Sequence, residues 1–515
     1  MKELSLTPRE YQQKIFETTK DKNTLAVLPT GTGKTLIAIM LAIERFKKLP
    51  LQKILILAPT RPLIEQHLKS FTEKLPENWA DMQLFTGKTN AEKRKKIWQT
   101  AEFIFSTPQC IANDLEKNLY DLKDVSLLVV DEAHRCLKNY AYNKVARTYK
   151  QQAENQRILA LTASPGSDKK TISIICENLN IEEVELRTRY SSDVKPYLQE
   201  LDFEKIEVEY PPELLEIKIL LDELYNSKAQ DLKNRKILFG PTNKIVLLKL
   251  QSRLMGELRT SKDGNKMQAV SLTAQALKIS HAIELIETQT VNSFLEYMRD
   301  LYKQANEKKS KGVQILTSDP LFTKAYTLGT LLQKEHPKVQ ELYNQIKIQF
   351  EKDPNSKIIV FAQFRETVRT IQETLNQIPQ VKANIFVGQA QKQNSRGQKT
   401  GLKQKEQKEM IEKFKTNEIN VIVATSIAEE GLDIPEVSMV IFYEPVPSAI
   451  RKIQRAGRTA RLAPGQLKIL ITKNTKDEIY HYASYHKEKR MYKAIEDIKK
   501  EFASSKSKKS QKTLF

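Results

Sequence analysis

The chain has 515 residues, enough for about three domains at the usual ~150 residues each, and long enough to bury several cores without metals or disulfides. A formal net charge of +21 points to a polyanionic partner, with a lysine-rich surface that has no partner as the plain alternative. Three cysteines (Cys110, Cys136, Cys176) form no C-x-x-C pair, the first residues lack the apolar core of a signal peptide, and no uncharged apolar run reaches about 18 residues. A zinc or disulfide scaffold and a membrane protein are therefore excluded, and a soluble, cytoplasmic protein is expected.

In chain order, short apolar runs at 25–28, 53–57, 103–105, 127–130 and 158–161 alternate with helical patterns such as LIAIMLAIERF. That is how a parallel sheet covered on both faces by helices reads. From about 212 to 332 the pattern turns helical and charged. Leu272, Ala276, Ile279, Ile283 and Ile286 recur at steps of three and four, the stripe of a helical core. Strand candidates return at 357–362, 383–387, 421–425, 439–443 and 467–471. From 503 the sequence ASSKSKKSQKTLF is Ser- and Lys-rich and reads as flexible. The expected fold class is α/β: parallel-sheet lobes at 1–201 and 336–500, an all-helical insert at 202–335, and a basic tail at 501–515.

The first apolar run leads into Pro29-Thr30-Gly31-Thr32-Gly33-Lys34-Thr35 and then directly into a helix. Glycines let backbone N–H groups approach a phosphate, and the helix N-terminus favours negative charge. Lys34 is expected to meet the β- and γ-phosphates of ATP, and the Thr35 hydroxyl to meet Mg²⁺. Leu28 stands where the strict phosphate-loop pattern has its first Gly. Downstream, LLVV ends in Asp131-Glu132-Ala133-His134. Asp131 at a strand's carboxyl end is placed to hold Mg²⁺, and Glu132 to orient and deprotonate the attacking water. The second lobe carries QRAGRTAR, from Gln454 to Arg461. Arg458 and Arg461, three apart, are expected on one helical turn facing one anion, so that hydrolysis requires the lobes to close.

In order, RxYQ, PTGTGKT, APTRPL, TGK, STPQ, DEAH, TAS, IVFAQFRET, VATSIAEEGLDIP and QRAGRTAR resemble the motifs of superfamily 2 helicases over nearly all of residues 1–490. Segments such as NYAYNKVARTYK, ALKISHAIELIETQ and FYEPVPSAIRKIQRAGRTAR resemble, more narrowly, the helicase module of the archaeal Hef and FANCM family. The resemblance implies RecA-like lobes and ATP-dependent, 3′-to-5′ remodelling of forked or four-way DNA at stalled forks. It implies adenine contacts from Arg9 and Gln12, a catalytic place for Gln454, and nucleotide contacts from Gly431 and Asp433. It further implies coupling through His134, Thr162 and Ser164, DNA phosphate contacts from Arg61, Thr107 and Thr425, and a helical insert that grips DNA. Ala460 stands where many relatives have Gly, a small-for-small change expected to be harmless.

The family's nuclease pattern E-R-K-x-x-x-D is not found, and His486–Arg490 reads HKEKR. Any nuclease acting with this motor is therefore expected on a separate chain. Gln511, Leu514 and Phe515 resemble a short C-terminal motif that binds the sliding clamp, against a plain solvated tail. Two other readings stay open: an RNA-dependent motor with the same kind of insert, and a clamp-associated DNA scaffold without activity. Intact Lys34, Asp131, Glu132, Arg458 and Arg461 argue against the scaffold.

Overall fold

A computed structural model describes residues 6–260, 263–390, 401–428, 434–460 and 463–512, with the backbone alone for 503–512. The expected apolar runs of the first lobe are strands β1 (Thr24–Val27), β2 (Lys53–Leu57), β4 (Phe103–Ser106), β5 (Val125–Asp131) and β6 (Ile158–Thr162). Two further strands, β3 (Met82–Phe85) and β7 (Glu183–Leu186), complete an all-parallel sheet in the order β3-β4-β2-β5-β6-β1-β7. Helices α1 (Glu10–Asp21), α2 (Lys34–Lys48), α3 (Arg61–Lys74), α4 (Ala91–Thr100), α5 (Pro108–Glu116), α6 (Ala141–Gln152) and α7 (Lys169–Asn178) form its crossovers and layers. Along β2, Leu55 and Leu57 pack into one apolar layer while Ile54 and Ile56 pack into the other. With alternate side chains buried on both faces, every position in the strand must be apolar, which is why it reads as an unbroken run.

After β7 the chain forms β8 (Leu201–Val208), which joins a second parallel sheet rather than the insert that was expected to begin at residue 202. Its partner is β13 (Gly465–Thr472), with Leu201 opposite Gly465 and Val208 opposite Thr472. LDFEKIEV mixes apolar and charged residues and has no fully buried position because β8 is an edge strand, and nothing local in such a pattern reveals the partner. The insert follows as α8 (Pro212–Asn234), α9 (Lys244–Glu257), α10 (Gly264–Thr288), α11 (Val291–Asn306), α12 (Lys311–Thr317) and α13 (Pro320–Leu331). The expected stripe lies on α10: Ile279, Ile283 and Ile286 pack in an inner cluster that also touches Phe364, and Ala276 in an outer one.

The second lobe continues with α14 (Pro337–Lys352), β9 (Ile358–Phe361), α15 (Arg365–Leu375), β10 (Ala383–Phe386), α16 (Gln404–Lys415), β11 (Val421–Ala424), β12 (Met439–Phe442), α17 (Ala449–Ala456) and β13, in sheet order β10-β11-β9-β12-β13-β8. The last helix, α18 (Lys476–Lys512), starts against β13, where Asp477 accepts from the Thr472 N–H at 3.1 Å. It then crosses to the first lobe, where Met491, Ala494, Ile495 and Ile498 enter that lobe's core beside Ile172 and Ile175. Its backbone stays helical through Lys512, into the stretch expected to be a flexible tail. No Gly or Pro interrupts 476–512, and Lys, Ser and Gln carry only small helix penalties. No helix among the described residues is long and apolar enough to cross a membrane.

Candidate nucleotide and nucleic-acid site

The carboxyl ends of β4, β2, β5, β6 and β1 lie along one edge of the first sheet, where parallel α/β folds place their ligands. That edge carries Thr107, Arg61, Asp131 with Glu132, Thr162 with Ser164, and the 28–35 loop. The loop turns into α2 through Gly33, at φ 72° in the left-handed region. A Cβ there would stand 2.6 Å from Gln12 Nε2, so the position needs glycine on both counts. Gln12 braces the loop: its Nε2 donates to the carbonyls of Thr32 (2.9 Å) and Gly33 (3.3 Å), and its Oε1 accepts from the Arg9 N–H (2.8 Å). Tyr11 donates to the Thr32 carbonyl at 2.6 Å. The Arg9 guanidinium lies 5.1 Å from the Tyr197 ring centre, and that ring meets Tyr11 edge-on. Lys34 Nζ donates to the loop's own carbonyls at Leu28 (3.1 Å) and Pro29 (3.2 Å).

Asp131 is deeply buried, and its carbonyl accepts from Tyr142 at 2.6 Å. Its carboxylate meets His67 Nε2 at 2.8 Å, a partner that nothing in the sequence pattern marks, since His67 lies on α3, far away in the chain. Burial would push the Asp131 carboxyl up, but His67 and then the Lys34 ammonium hold it below the ordinary carboxylate range. A depressed carboxyl favours folding above its unfolded-state pKa, and that contribution is lost as pH falls through the folded value. His67→Ala leaves burial less opposed, so the folded value moves up and the variant has less of this contribution to lose on acidification. Thermal melts without added Mg²⁺ are expected to show about 1–3 kcal/mol of destabilisation at neutral pH that shrinks as pH falls. Identical wild-type and variant melts at neutral pH would refute this.

Glu132 sits at φ 52°, its N–H donates to Asp131 Oδ1 at 3.0 Å, and its Oε2 faces His134 Nδ1 at 3.2 Å. His134 also reaches Thr162 Oγ1 at 3.3 Å, which accepts from the Ser164 N–H at 3.1 Å. One chain of contacts thus links Asp131, Glu132, His134, Thr162 and Ser164. It continues across the lobes, since Ser164 Oγ meets Met491 Sδ of α18 at 2.9 Å. Met491 is a second participant the sequence reading missed.

The second lobe approaches from the other side. A Cβ on Gly457 would come within 2.5 Å of Thr30 Cβ, so only glycine lets this turn rest on the loop. The expectation that Arg458 and Arg461 share a helical turn is corrected: α17 ends at Ala456. Thr459 leaves the helix to bond the Val437 carbonyl at 2.6 Å, and the two residues form a parallel bridge. Arg458 is buried in this turn beside the contact with Thr30, and Gln454 is buried on α17. Arg461, Gly431 and Asp433 lie outside the described residues, as do Leu514, Phe515 and the side chain of Gln511.

Ala460 is also corrected. It has φ 55°, in the left-handed region that favours glycine, so a small side chain is not harmless there. Ala460→Gly is expected to raise stability by up to about 1 kcal/mol, and an unchanged or lower denaturation midpoint would contradict it.

Arg61, Thr107 and Thr425 are each partly exposed just past strand ends. Arg61 pairs with Glu65 at 2.6 Å, and Lys408 of the second lobe meets the same carboxylate at 3.1 Å. Partial burial would raise the Glu65 carboxyl, but Lys408 and Arg61 hold it below its ordinary range.

Two parallel-sheet lobes, with a phosphate loop on one and an arginine-bearing turn of the other seated on it, define the ATP-cleft architecture of superfamily 2 helicases. Comparisons agree: family models for the DEAD/DEAH box helicase match residues 9–172, the helicase conserved C-terminal domain 337–463, and a helical bundle named after ATP-dependent RNA helicases 213–336. The crystal structure of the Pyrococcus furiosus Hef helicase domain is 41% identical, covers 93% of this chain and 98% of that one, and superposes with a TM-score of 0.70. A Methanocaldococcus jannaschii protein, provisionally named an ATP-dependent RNA helicase, is 37% identical over 97% of this chain and 62% of its own length. The Fanconi anemia group M protein homolog of Mus musculus is 31% identical over 95% of this chain and 26% of its own. The chain thus spans less than two thirds of these curated relatives. It belongs to the Hef family of superfamily 2 helicases.

Proposed function

We propose that the chain is an ATP-driven motor that moves 3′-to-5′ on forked or four-way DNA and remodels stalled replication forks. The observation that carries this reading is the seating of Gly457 on Thr30, which brings the arginine turn of one lobe to the phosphate loop of the other. An ATP site made by both lobes links hydrolysis to their relative movement.

On this reading Thr30 to Lys34 cradle the phosphates, Lys34 exchanges its loop carbonyls for phosphate oxygens, and Arg9 with Tyr197 borders the base. The donor set suits Mg²⁺: a hydroxyl at Thr35 on the first turn of α2, and a buried carboxylate at Asp131 held ionised by its neighbours. When bound, Mg²⁺ supplies charge neutralisation at the phosphates. Glu132 takes the proton of the attacking water, and Arg458 with Arg461 faces the charge on the transferring group. His134, Thr162 and Ser164 relay the change to α18, while Gly431, Asp433 and Gln454 complete the second lobe's side. Arg61, Thr107 and Thr425 hold DNA phosphates. Gln511, Leu514 and Phe515 bind a sliding clamp.

The test is steady-state ATP hydrolysis with forked DNA, linear duplex, single-stranded DNA and structured RNA, with Lys34→Ala as the blank. Strongest stimulation by forked DNA, lost in the variant, is expected. Stimulation by RNA alone would favour an RNA motor, the reading suggested by the name of the M. jannaschii relative. No stimulation by any polymer would overturn the motor reading. Loss of clamp capture on deleting 511–515 checks the tail.

A further inference from the structure

Two of the Hef-like segments, ALKISHAIELIETQ and FYEPVPSAIRKIQRAGRTAR, have side chains with no place in the ATP site. The structure brings them together in a buried polar joint between insert and second lobe. Gln289, just past the end of α10 and 1% exposed, donates through Nε2 to Glu444 Oε2 at 3.4 Å and accepts at Oε1 from Thr367 Oγ1 at 2.9 Å. Glu444 follows β12, is 3% exposed, and its Oε1 has no hydrogen-bond partner among the described residues. Burial pushes its carboxyl up to about 7, against the pull of Arg455 and Lys338 and with Asp477 adding to the rise. Arg455, on α17 and itself 1% exposed, stacks 4.9 Å from the centre of Phe361 and 5.6 Å from that of Phe442. Lys338 of α14 ties the other side, donating to the Thr288 carbonyl at 2.6 Å and pairing with Asp477 at 2.7 Å.

An apolar joint tolerates sliding, because dispersion contacts are non-directional. A buried hydrogen-bonded joint does not, since its groups are satisfied in one relative placement and each group left unmatched costs about 1–3 kcal/mol. Glu444 stands where that constraint meets the arginine segment: Gln289 of the insert is its donor, and Arg455 stacks on Phe442, two residues before it in the chain. We infer that Glu444 is a positioning residue that keys the helical insert to the arginine segment of the ATP site, so that the placement of the insert sets that of Arg455 and Arg458. This rests on the motor reading above. A displacement of the insert shifts Gln289, Glu444 follows because Gln289 is its hydrogen-bond donor, and α17 is reset through Arg455.

Two variants test it: Gln289→Ala, and Glu444→Gln, which keeps side-chain volume but removes the charge and turns one acceptor oxygen into a donor. Without DNA or nucleotide, hydrogen exchange of amides 449–456 should be at least fivefold faster in Gln289→Ala, although residue 289 lies in the insert. Unchanged exchange there overturns the inference. With forked DNA, each variant should lower kcat for ATP at least tenfold, with KM and half-saturating DNA within twofold. The double variant should be no worse than the poorer single one. Wild-type kcat in both variants, or a loss confined to KM, would also overturn it. Failure of the wild-type enzyme to respond to any polymer would sink the motor reading alone, because the exchange measurement needs neither ATP nor DNA.

Discussion

Replacing Arg458 by alanine is expected to slow ATP hydrolysis on forked DNA by about 10³-fold or more while changing nucleotide affinity little. The loop, Lys34 and Asp131 belong to the first lobe and remain intact in this variant. Arg458 follows α17 in the second lobe, one residue beyond the glycine that rests on Thr30. A guanidinium placed there meets the transferring group only while the lobes are closed, so its loss falls on the transition state more than on ground-state binding. Single-turnover hydrolysis and equilibrium binding of a fluorescent ATP analogue separate the two. Turnover within tenfold of wild type, or an affinity loss as large as the rate loss, would show that Arg458 serves the fold and not the reaction.

The second large effect is expected from Glu132→Gln, which preserves shape and removes the base. A fall of about 10²–10⁴ in kcat is expected for a lost general base, with DNA binding retained. Backbone geometry carries the argument: at φ 52° Glu132 turns away from the strand direction after β5, so its side chain and that of Asp131 take different surroundings. Asp131 is drawn to His67 and Lys34, and Glu132 to His134. If Glu132→Gln kept more than a tenth of wild-type turnover, water activation would have to be assigned elsewhere, and the link from His134 to Thr162 would be structural only.

The strands and the phosphate loop were legible because their requirements are local. A strand buried on both faces must be apolar at every position, so 53–57 and 127–130 announce themselves, and a tight turn into a helix needs Gly33 wherever it occurs. The order of motifs likewise sufficed to place the chain among two-lobed helicases. Local pattern could not reveal that β8 crosses to the second sheet, since a mixed, partly exposed edge strand is compatible with either and its partner lies at 465–472. Nor could it reveal that α18 returns to the first lobe and sets Met491 on Ser164, that His67 holds Asp131, or that the arginine turn leaves its helix at Gly457. Each is a contact between residues remote in the chain, selected by which surfaces remain unburied once both sheets have formed. The sequence by itself determined which motifs each lobe carries. Packing alone decided how the lobes meet, because complementarity between assembled surfaces has no signature in any single segment.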